Sequence, residues 1–271
     1  MTGSEDHRPS ADQQQPPTGG PPALESRDLG RWRIEVVEES GSTNADVAER
    51  FRSGDREGLV LVAEHQTAGR GRLGREWVSP PRASLTVSFL LEPDVPAERW
   101  TWLPLLTGVA AARAVRRSAD VAADLKWPND VLVAGAKLGG ILLERVEQDG
   151  RAAAVVGIGL NVHQAQDDLP VPGATSLDLV AGPGAVDRAS LLTALVEELS
   201  AAYDEWRGGE DPRAAYLGLC VTPGHQVTVS VPGGEVVGEA TDVDAQGRLV
   251  VLTEQGEQAL GAGDVVHVRP R

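Results

Sequence analysis

The run GLVLVAE, residues 58–64, is apolar at almost every position rather than at every second one. That is the pattern of a strand covered on both faces. On either side of it the texture is consistent with a mixed sheet between helices. WRIEVVE from Trp32 reads as a strand, and STNADVAERFRSG as a short helix with Ser42 or Thr43 at its N-cap and Gly54 near its end. SLTVSFLL resumes a strand, and RWTWLPLLTGVAAARAVRRSA predicts a helix entering around Arg99. DVLVAG and GGILLERVEQ predict paired strands joined across AGAK, and a turn at Asp149 and Gly150 leads into AAAVVGIGLNV. The chain is loop-like from Val162 to about Asp187. Leu192, Leu195, Leu199, Ala202 and Trp206 then recur at helical spacing. Beyond Val221, QVTVSV, EVVGEATDV, RLVVL and DVVHVR are short strands between tight turns. The expected fold is α/β (α+β): a mixed-sheet domain over 31–221, then a small SH3-like β-barrel over 222–271. Residues 1–24, ending QQQPPTGGPPAL, are polar and Pro/Gly-rich, so a disordered segment is expected over 1–30.

Charge narrows the function. The chain carries a net charge of −15, which opposes a whole-surface role on nucleic acid or an anionic membrane. Any anionic ligand therefore needs a local basic pocket. One candidate is HQTAGRGRLGREWVSPPR, residues 65–82, a long stretch without period that holds four arginines and one acid. Segments of this length inside a compact domain are often binding loops or lids. Its glycines at 69, 71 and 74 allow close backbone approach to a ligand, and Arg70, Arg72 and Arg75 offer planar donors for carboxylate or phosphate oxygens. A solvated mobile loop explains the same residues about as well. GRGRLG also satisfies the dinucleotide fingerprint G-x-G-x-x-G, but it neither follows directly on a strand nor opens a helix.

The second candidate is LKWPNDVLVAGAKLGGILLE, residues 125–144, which holds the only two lysines, Lys126 and Lys137. Pro128 makes KWPND rigid, although Pro-Asn-Asp is also ordinary turn chemistry. If the strands pair across AGAK, both lysines lie near one sheet end. An ammonium there is a compact charge, whereas a guanidinium is bulky and planar. GIGLNV, residues 157–162, ends an apolar strand with two glycines and an amide, which close packing explains equally well alone. The histidines show no metal-ligand spacing, and a single cysteine, Cys220, gives no zinc site or disulfide framework. It fits a reducing, cytoplasmic location, and neither a leader nor a membrane-spanning run is expected.

In this order, GSTN, AEHQTAGRGRLGREW, LKWPNDV, KLGGIL and GIGLNV resemble the biotin protein ligase family over most of the α/β domain, and the C-terminal strands also fit. The resemblance implies an ATP-dependent ligase. Biotin carboxylate attacks the α-phosphate of ATP, and the resulting biotinyl-adenylate is passed to a lysine of a biotin carboxyl carrier domain. It implies that Ser42, Thr43 and Gln66 contact the biotin head group, that Gly140 lines the biotin site, and that Gly69, Arg70 and Arg72 close over the adenylate. Trp77 stacks near adenine in this scheme, Arg75 belongs to the nucleotide loop, and Lys137 bridges carboxylate and α-phosphate, with Arg72 beside it as catalytic. Asn129 and Asp130 are candidates for phosphate, ribose or Mg2+, Asn161 for the nucleotide side, and Lys126 for phosphate. Mg2+ is expected to arrive with ATP rather than on a protein-only site, with Asp130 its candidate ligand. Gly139 departs from the alanine common in the family. Some members carry an N-terminal winged helix-turn-helix, which residues 1–30 are too few to form, so DNA and membrane partners are not expected; a homodimer is admitted. Alternatives are a lipoate or octanoate ligase on the same fold, and a non-catalytic biotin sensor.

Overall fold

A computed structural model describes residues 21–169 and 171–267. The strands of the first part are β1 (Arg27–Leu29), β2 (Trp32–Ser40), β3 (Leu59–Gln66), the two-residue pieces β4 (Gly69–Arg70) and β5 (Glu76–Trp77), β6 (Ser84–Leu91), β7 (Asp124–Lys126), β8 (Asp130–Val133), β9 (Ala136–Gln148) and β10 (Arg151–Asn161). Helices α1 (Thr43–Arg52), α2 (Leu103–Ala119), α3 (Leu177–Ala181), α4 (Arg188–Arg207) and α5 (Arg213–Leu217) accompany them. Eight strands form one mixed sheet in the order β1-β2-β3-β6-β10-β9-β8-β7, in which only β2 and β3 run parallel, with α1 between them in sequence.

The uninterrupted apolar run behaves as its pattern requires. From β3, Val60 and Val62 enter the large core beside α2 and α4, while Leu59 and Leu61 pack with Val47 and Phe51 of α1. β10 does the same, with Val156, Ile158 and Leu160 on one side and Ala153 and Val155 on the other. Ser42 is the N-cap residue of α1, but its hydroxyl makes no capping bond. Gln66 takes that place, its Oε1 accepting the Thr43 N–H at 2.8 Å. The α2 helix begins at Leu103, after a 3-10 stretch over Ala97–Trp102, where helix was expected from Arg99. β8 and β9 pair across AGAK through a turn at Ala134 and Gly135, whose φ values of 50° and 78° suit a type I′ hairpin.

The last part is a separate antiparallel sheet of β11 (Gln226–Val231), β12 (Gly234–Val243), β13 (Leu249–Thr253), β14 (Gly256–Leu260) and β15 (Asp264–His267). Its order is β14-β13-β12-β11-β15, with β14 and β15 at the two edges among the described residues, so an antiparallel sheet is found where an SH3-like barrel was expected. The sheet is bound to the first part through tryptophans. Trp127 Nε1 donates to Gly247 O at 3.0 Å, and Trp102 Nε1 donates to Ala245 O at 2.9 Å. Among the described residues, no helix is long and apolar enough to cross a membrane.

The disordered segment expected over 1–30 needs correction at its end; residues 1–20 lie outside the described residues. Leu24 is buried, and Arg27–Leu29 pair with β2. What holds this stretch is a buried ion pair that the sequence does not announce. Arg188 Nη1 lies 2.6 Å from Glu64 Oε2, and both side chains are 2% exposed. Glu64 Oε1 accepts from Leu24 N at 2.5 Å, and Arg188 Nη2 donates to Pro22 O at 2.7 Å. Removing one partner strands the other charge in the core. Arg188→Met is therefore expected to lower the unfolding free energy by about 3–5 kcal/mol. Urea denaturation measures this, and a loss under about 1 kcal/mol would contradict the account.

Candidate functional site

At one end of the large sheet lies a cavity of about 690 Å³. The start of α1 brings Ser42, Thr43 and Asn44, and the end of β3 brings Gln66. The arginine loop brings Arg70, Arg72, Arg75 and Trp77. The β7–β9 hairpins bring Lys126, Asn129, Asp130, Lys137 and Gly140, and Asn161 comes from β10. All the residues given a site role by the resemblance thus line this cavity except Gly69, which lies on the wall of a neighbouring cavity across the loop.

The lysines meet here because of strand register. Lys126 pairs with Asp130 across the β7–β8 turn, and Asp130 pairs with Gly140 across β8–β9. A register shift between Val131 and Leu132 lets Lys137 Nζ reach Asp130 Oδ1 at 2.6 Å. The backbone of Lys137 is pinned on both sides, its N–H donating to Gly173 O at 2.9 Å and its C=O accepting from Thr175 N at 2.8 Å. The same Thr175 offers its carbonyl to Asn161 Nδ2 at 3.0 Å, while Asn161 Oδ1 accepts from Gln164 Nε2 at 3.0 Å. The amide of Asn161 thus also braces the segment that holds Lys137.

The arginine loop is more ordered than an aperiodic stretch suggests. Gly69 and Arg70 pair with Trp77 and Glu76 as a minimal ladder, and each arginine has a partner on a different element. Arg70 Nη2 lies 3.0 Å from Glu144 Oε2, Arg72 Nη1 donates to Asn129 Oδ1 at 3.3 Å, and Arg75 is paired with Asp264 at the start of β15. Arg72 is the one whose partner carries no charge. Burial pushes its pKa below the usual guanidinium value, and the more distant carboxylates of Asp264 and Asp130 oppose that shift. A partly desolvated cation with only a neutral partner favours an incoming anion. The Asp264 carboxyl is held below its usual range, first by its hydrogen bond from Arg75, and further by Lys126 and Arg72.

Glycines shape the opposite wall. A Cβ at Gly157 would lie 2.1 Å from Asn44 Oδ1, and one at Gly159 would lie 2.4 Å from the Trp77 indole. The two glycines of GIGLNV therefore leave space for an amide and an indole on one strand face. A Cβ at Gly139 would lie 2.4 Å from Gly159 O, so the departure from alanine at that position avoids a close approach between strands. Asn44, Ser88, Glu144, Asp264 and His267 were not singled out from the sequence. Asn44 stood in the GSTN stretch and had a signal; the others depend on contacts between distant elements. Among the described residues no group of three or more His, Cys, Asp or Glu comes together as a metal site.

Comparison with known proteins finds the same family and fold elsewhere. Residues 37–161 match the biotin/lipoate A/B protein ligase family, and residues 222–268 match the biotin protein ligase C terminal domain. The chain is 45% identical to a biotin--[acetyl-CoA-carboxylase] ligase of Mycobacterium tuberculosis, over 88% of this chain and 90% of that protein. It is 33% identical to the Paracoccus denitrificans protein of the same name, over 85% and 98%. The fold superposes on a biotin protein ligase from Aquifex aeolicus in complex with biotin and ATP, with a TM-score of 0.74, 28% identity, and coverage of 88% and 99%.

Two outcomes follow from the geometry. Gly159→Ala is expected to expel Trp77 from its seat and to speed tryptic cleavage after Arg72 and Arg75 by about tenfold, while the global melting transition moves little. Unchanged cleavage would show that Trp77 does not hold the loop. His267, stacked on His225 at 4.9 Å, is pushed down from 6.5 to about 4 by burial, with Lys126 and His225 adding to the shift. The unfolded chain takes up the proton first, so this group costs stability as pH falls from about 6.5 towards 4. His267→Gln is expected to flatten that part of the stability profile, as followed by melting temperature; an unaltered acid limb would refute the assignment.

Proposed function

The chain belongs to the biotin/lipoate A/B protein ligase family, and from that premise we propose that it is the biotin ligase of a biotin-dependent carboxylase. It takes biotin and ATP, forms biotinyl-adenylate with release of pyrophosphate, and transfers biotin to a lysine of a biotin carboxyl carrier domain with release of AMP. The observation that carries this reading is the convergence of Lys137, Asp130, Arg72 and Lys126 on one cavity. That cavity runs from the polar groups of Thr43 and Gln66 to the Trp77 wall.

In the first step a carboxylate must approach a triphosphate, and repulsion between anions is the obstacle. One cation about 4 Å from developing charge is worth roughly 4 kcal/mol at an effective dielectric near 20. Several aimed at one point supply orders of magnitude in rate. Lys137 is assigned to the meeting point of carboxylate and α-phosphate, with Asp130 holding its ammonium in place. Arg72 is assigned to the same charge, and Lys126 and Arg75 to the phosphates. Trp77 is assigned to adenine, and Ser42, Thr43, Gln66 and Gly140 to biotin. Gly69 and Arg70 belong to the loop that shields the mixed anhydride from water. Asn129 orients Arg72, and Asn161 supports the segment pinning Lys137. Mg2+ is a companion of ATP that offsets phosphate charge. Asp130 is the protein group that would meet it, through the oxygen that Lys137 does not engage.

The finer identity of the C-terminal sheet as an SH3-like module rests on its five short antiparallel strands. Its Asp264 gives it a hold on the arginine loop, and acceptor docking is the further task assigned to it. We place the enzyme in the cytoplasm, where a half-buried free thiol such as Cys220 persists.

Biotin-dependent ATP–pyrophosphate exchange, run beside lipoate, tests the reading. Exchange with biotin is expected and exchange with lipoate is not; the reverse would sink the assignment, and no exchange at all would leave a biotin sensor. Lys137→Arg is expected to lower exchange by at least about 100-fold while biotin affinity changes less than about threefold, because the lysine's task is charge placement in the transition state. Near-wild-type exchange would remove that role.

A further inference from the structure

Six polar side chains stand in one line of close contacts from the cavity to the arginine loop. Gln66 Oε1 accepts the Thr43 N–H at 2.8 Å and lies 3.0 Å from Thr43 Oγ1. Ser88 Oγ lies 2.7 Å from both Thr43 Oγ1 and Asn44 Oδ1. Asn44 Nδ2 donates to Glu144 Oε2 at 2.8 Å, and the same oxygen accepts from Arg70 Nη2 at 3.0 Å.

Both amides have forced orientations. Gln66 must show its oxygen to a backbone N–H, and Asn44 its nitrogen to the Glu144 carboxylate and to Leu142 O at 3.3 Å. Three contacts then remain, between Gln66 and Thr43, Thr43 and Ser88, and Ser88 and Asn44. Only two hydroxyl protons serve them. One contact is therefore without a proton, and its place depends on how the hydroxyls of Ser88, which is fully buried, and Thr43, which lines the cavity, are turned.

We propose that Asn44 and Glu144 are positioning residues of a relay that carries occupancy of the biotin-head end of the cavity to Arg70 of the arginine loop. The proposal rests on the functional reading above. An N–H of the ureido ring, donating into the gap between Gln66 Oε1 and Thr43 Oγ1, supplies the missing proton. Both hydroxyl protons then run one way, Thr43 to Ser88 to Asn44, and such aligned chains strengthen each member. The polarised Asn44 amide donates more strongly to Glu144 and fixes that carboxylate under Arg70. Gly157 is what lets Asn44 stand in this line, since any Cβ there would overlap its amide. Arg70 and Glu144 are partly exposed, 47% and 31%, so their pair shifts the balance of open and closed loop by about fivefold and leaves the fold intact.

Tryptic cleavage after Arg72 and Arg75 in the full-length chain, with and without biotin, reads the relay. In the wild type biotin alone is expected to slow cleavage about tenfold. Glu144→Gln should keep biotin affinity within about threefold by calorimetry, yet reduce that protection to about twofold, and Glu144→Asp should recover part of it. Arg70→Gln should lose the same protection, and joining it to Glu144→Gln should cost nothing more. Full protection in Glu144→Gln, additive losses in the double variant, or biotin binding without protection in the wild type overturns the relay. A wild type that binds no biotin overturns the functional reading instead.

Discussion

The 2.6 Å contact between Lys137 and Asp130 is the fixed point of the site. Neither residue is held by its neighbours in sequence alone. Asp130 is set by a turn around Pro128 and by pairing with Gly140, while Lys137 is pinned through its own backbone to residues 173 and 175. Two hairpins and a returning segment must all be in register before the ammonium and carboxylate meet. A one-residue slip in β8 would turn Asp130 to the other face and leave both charges without a partner. The site is thus a consequence of sheet register, and folding of the sheet and assembly of the site are the same event.

Around that point the site holds its cations with weak, exchangeable partners. Arg75 and Arg70 rest on partly exposed carboxylates from β15 and β9, and Arg72 on a neutral amide. Pairs of this exposure are each worth at most about 1 kcal/mol, so a polyanion with several oxygens displaces them readily. The buried pair of Glu64 and Arg188 shows the contrast. It is sealed from water and ties the N-terminal segment to α4, and no ligand competes with it. The same two charge types do structural work in one place and wait for substrate in the other, and burial makes the difference.

Much of this was legible in the sequence. The uninterrupted apolar run announced a strand covered twice, AGAK announced a hairpin, and the charge contrast of residues 65–82 singled out the arginine loop that lines the cavity. Local signals sufficed because turn chemistry and hydrophobic period are local properties. Glu144, Ser88 and Asp264 gave no such sign. Their roles exist only through contacts across 74, 44 and 189 residues of sequence, which no spacing rule encodes. Leu24 and the strand at Arg27–Leu29 were hidden for the same reason, since a polar, Pro-rich approach masks a segment tied by a distant buried charge. Asn161, read as a ligand group, lines the cavity, and its amide also bonds to Thr175 and Gln164, which no local pattern announces.

The restriction of lysine to positions 126 and 137 has a steric side as well as an electrostatic one. A Cβ at Gly140 would lie 3.5 Å from Lys137 Nζ and 3.9 Å from the Trp77 ring, so ammonium, glycine and indole meet within one van der Waals shell. A guanidinium at 137 would have to spread its plane into the space left by Gly140 or push Trp77 off Gly159. Either way it would give up the contact that aims the charge. Lys126 faces no such wall. It shares the cavity with Asp264, and its charge is felt by Asp264 and by His267. The compact cation is thus demanded by geometry at 137, whereas at 126 the demand is for charge alone.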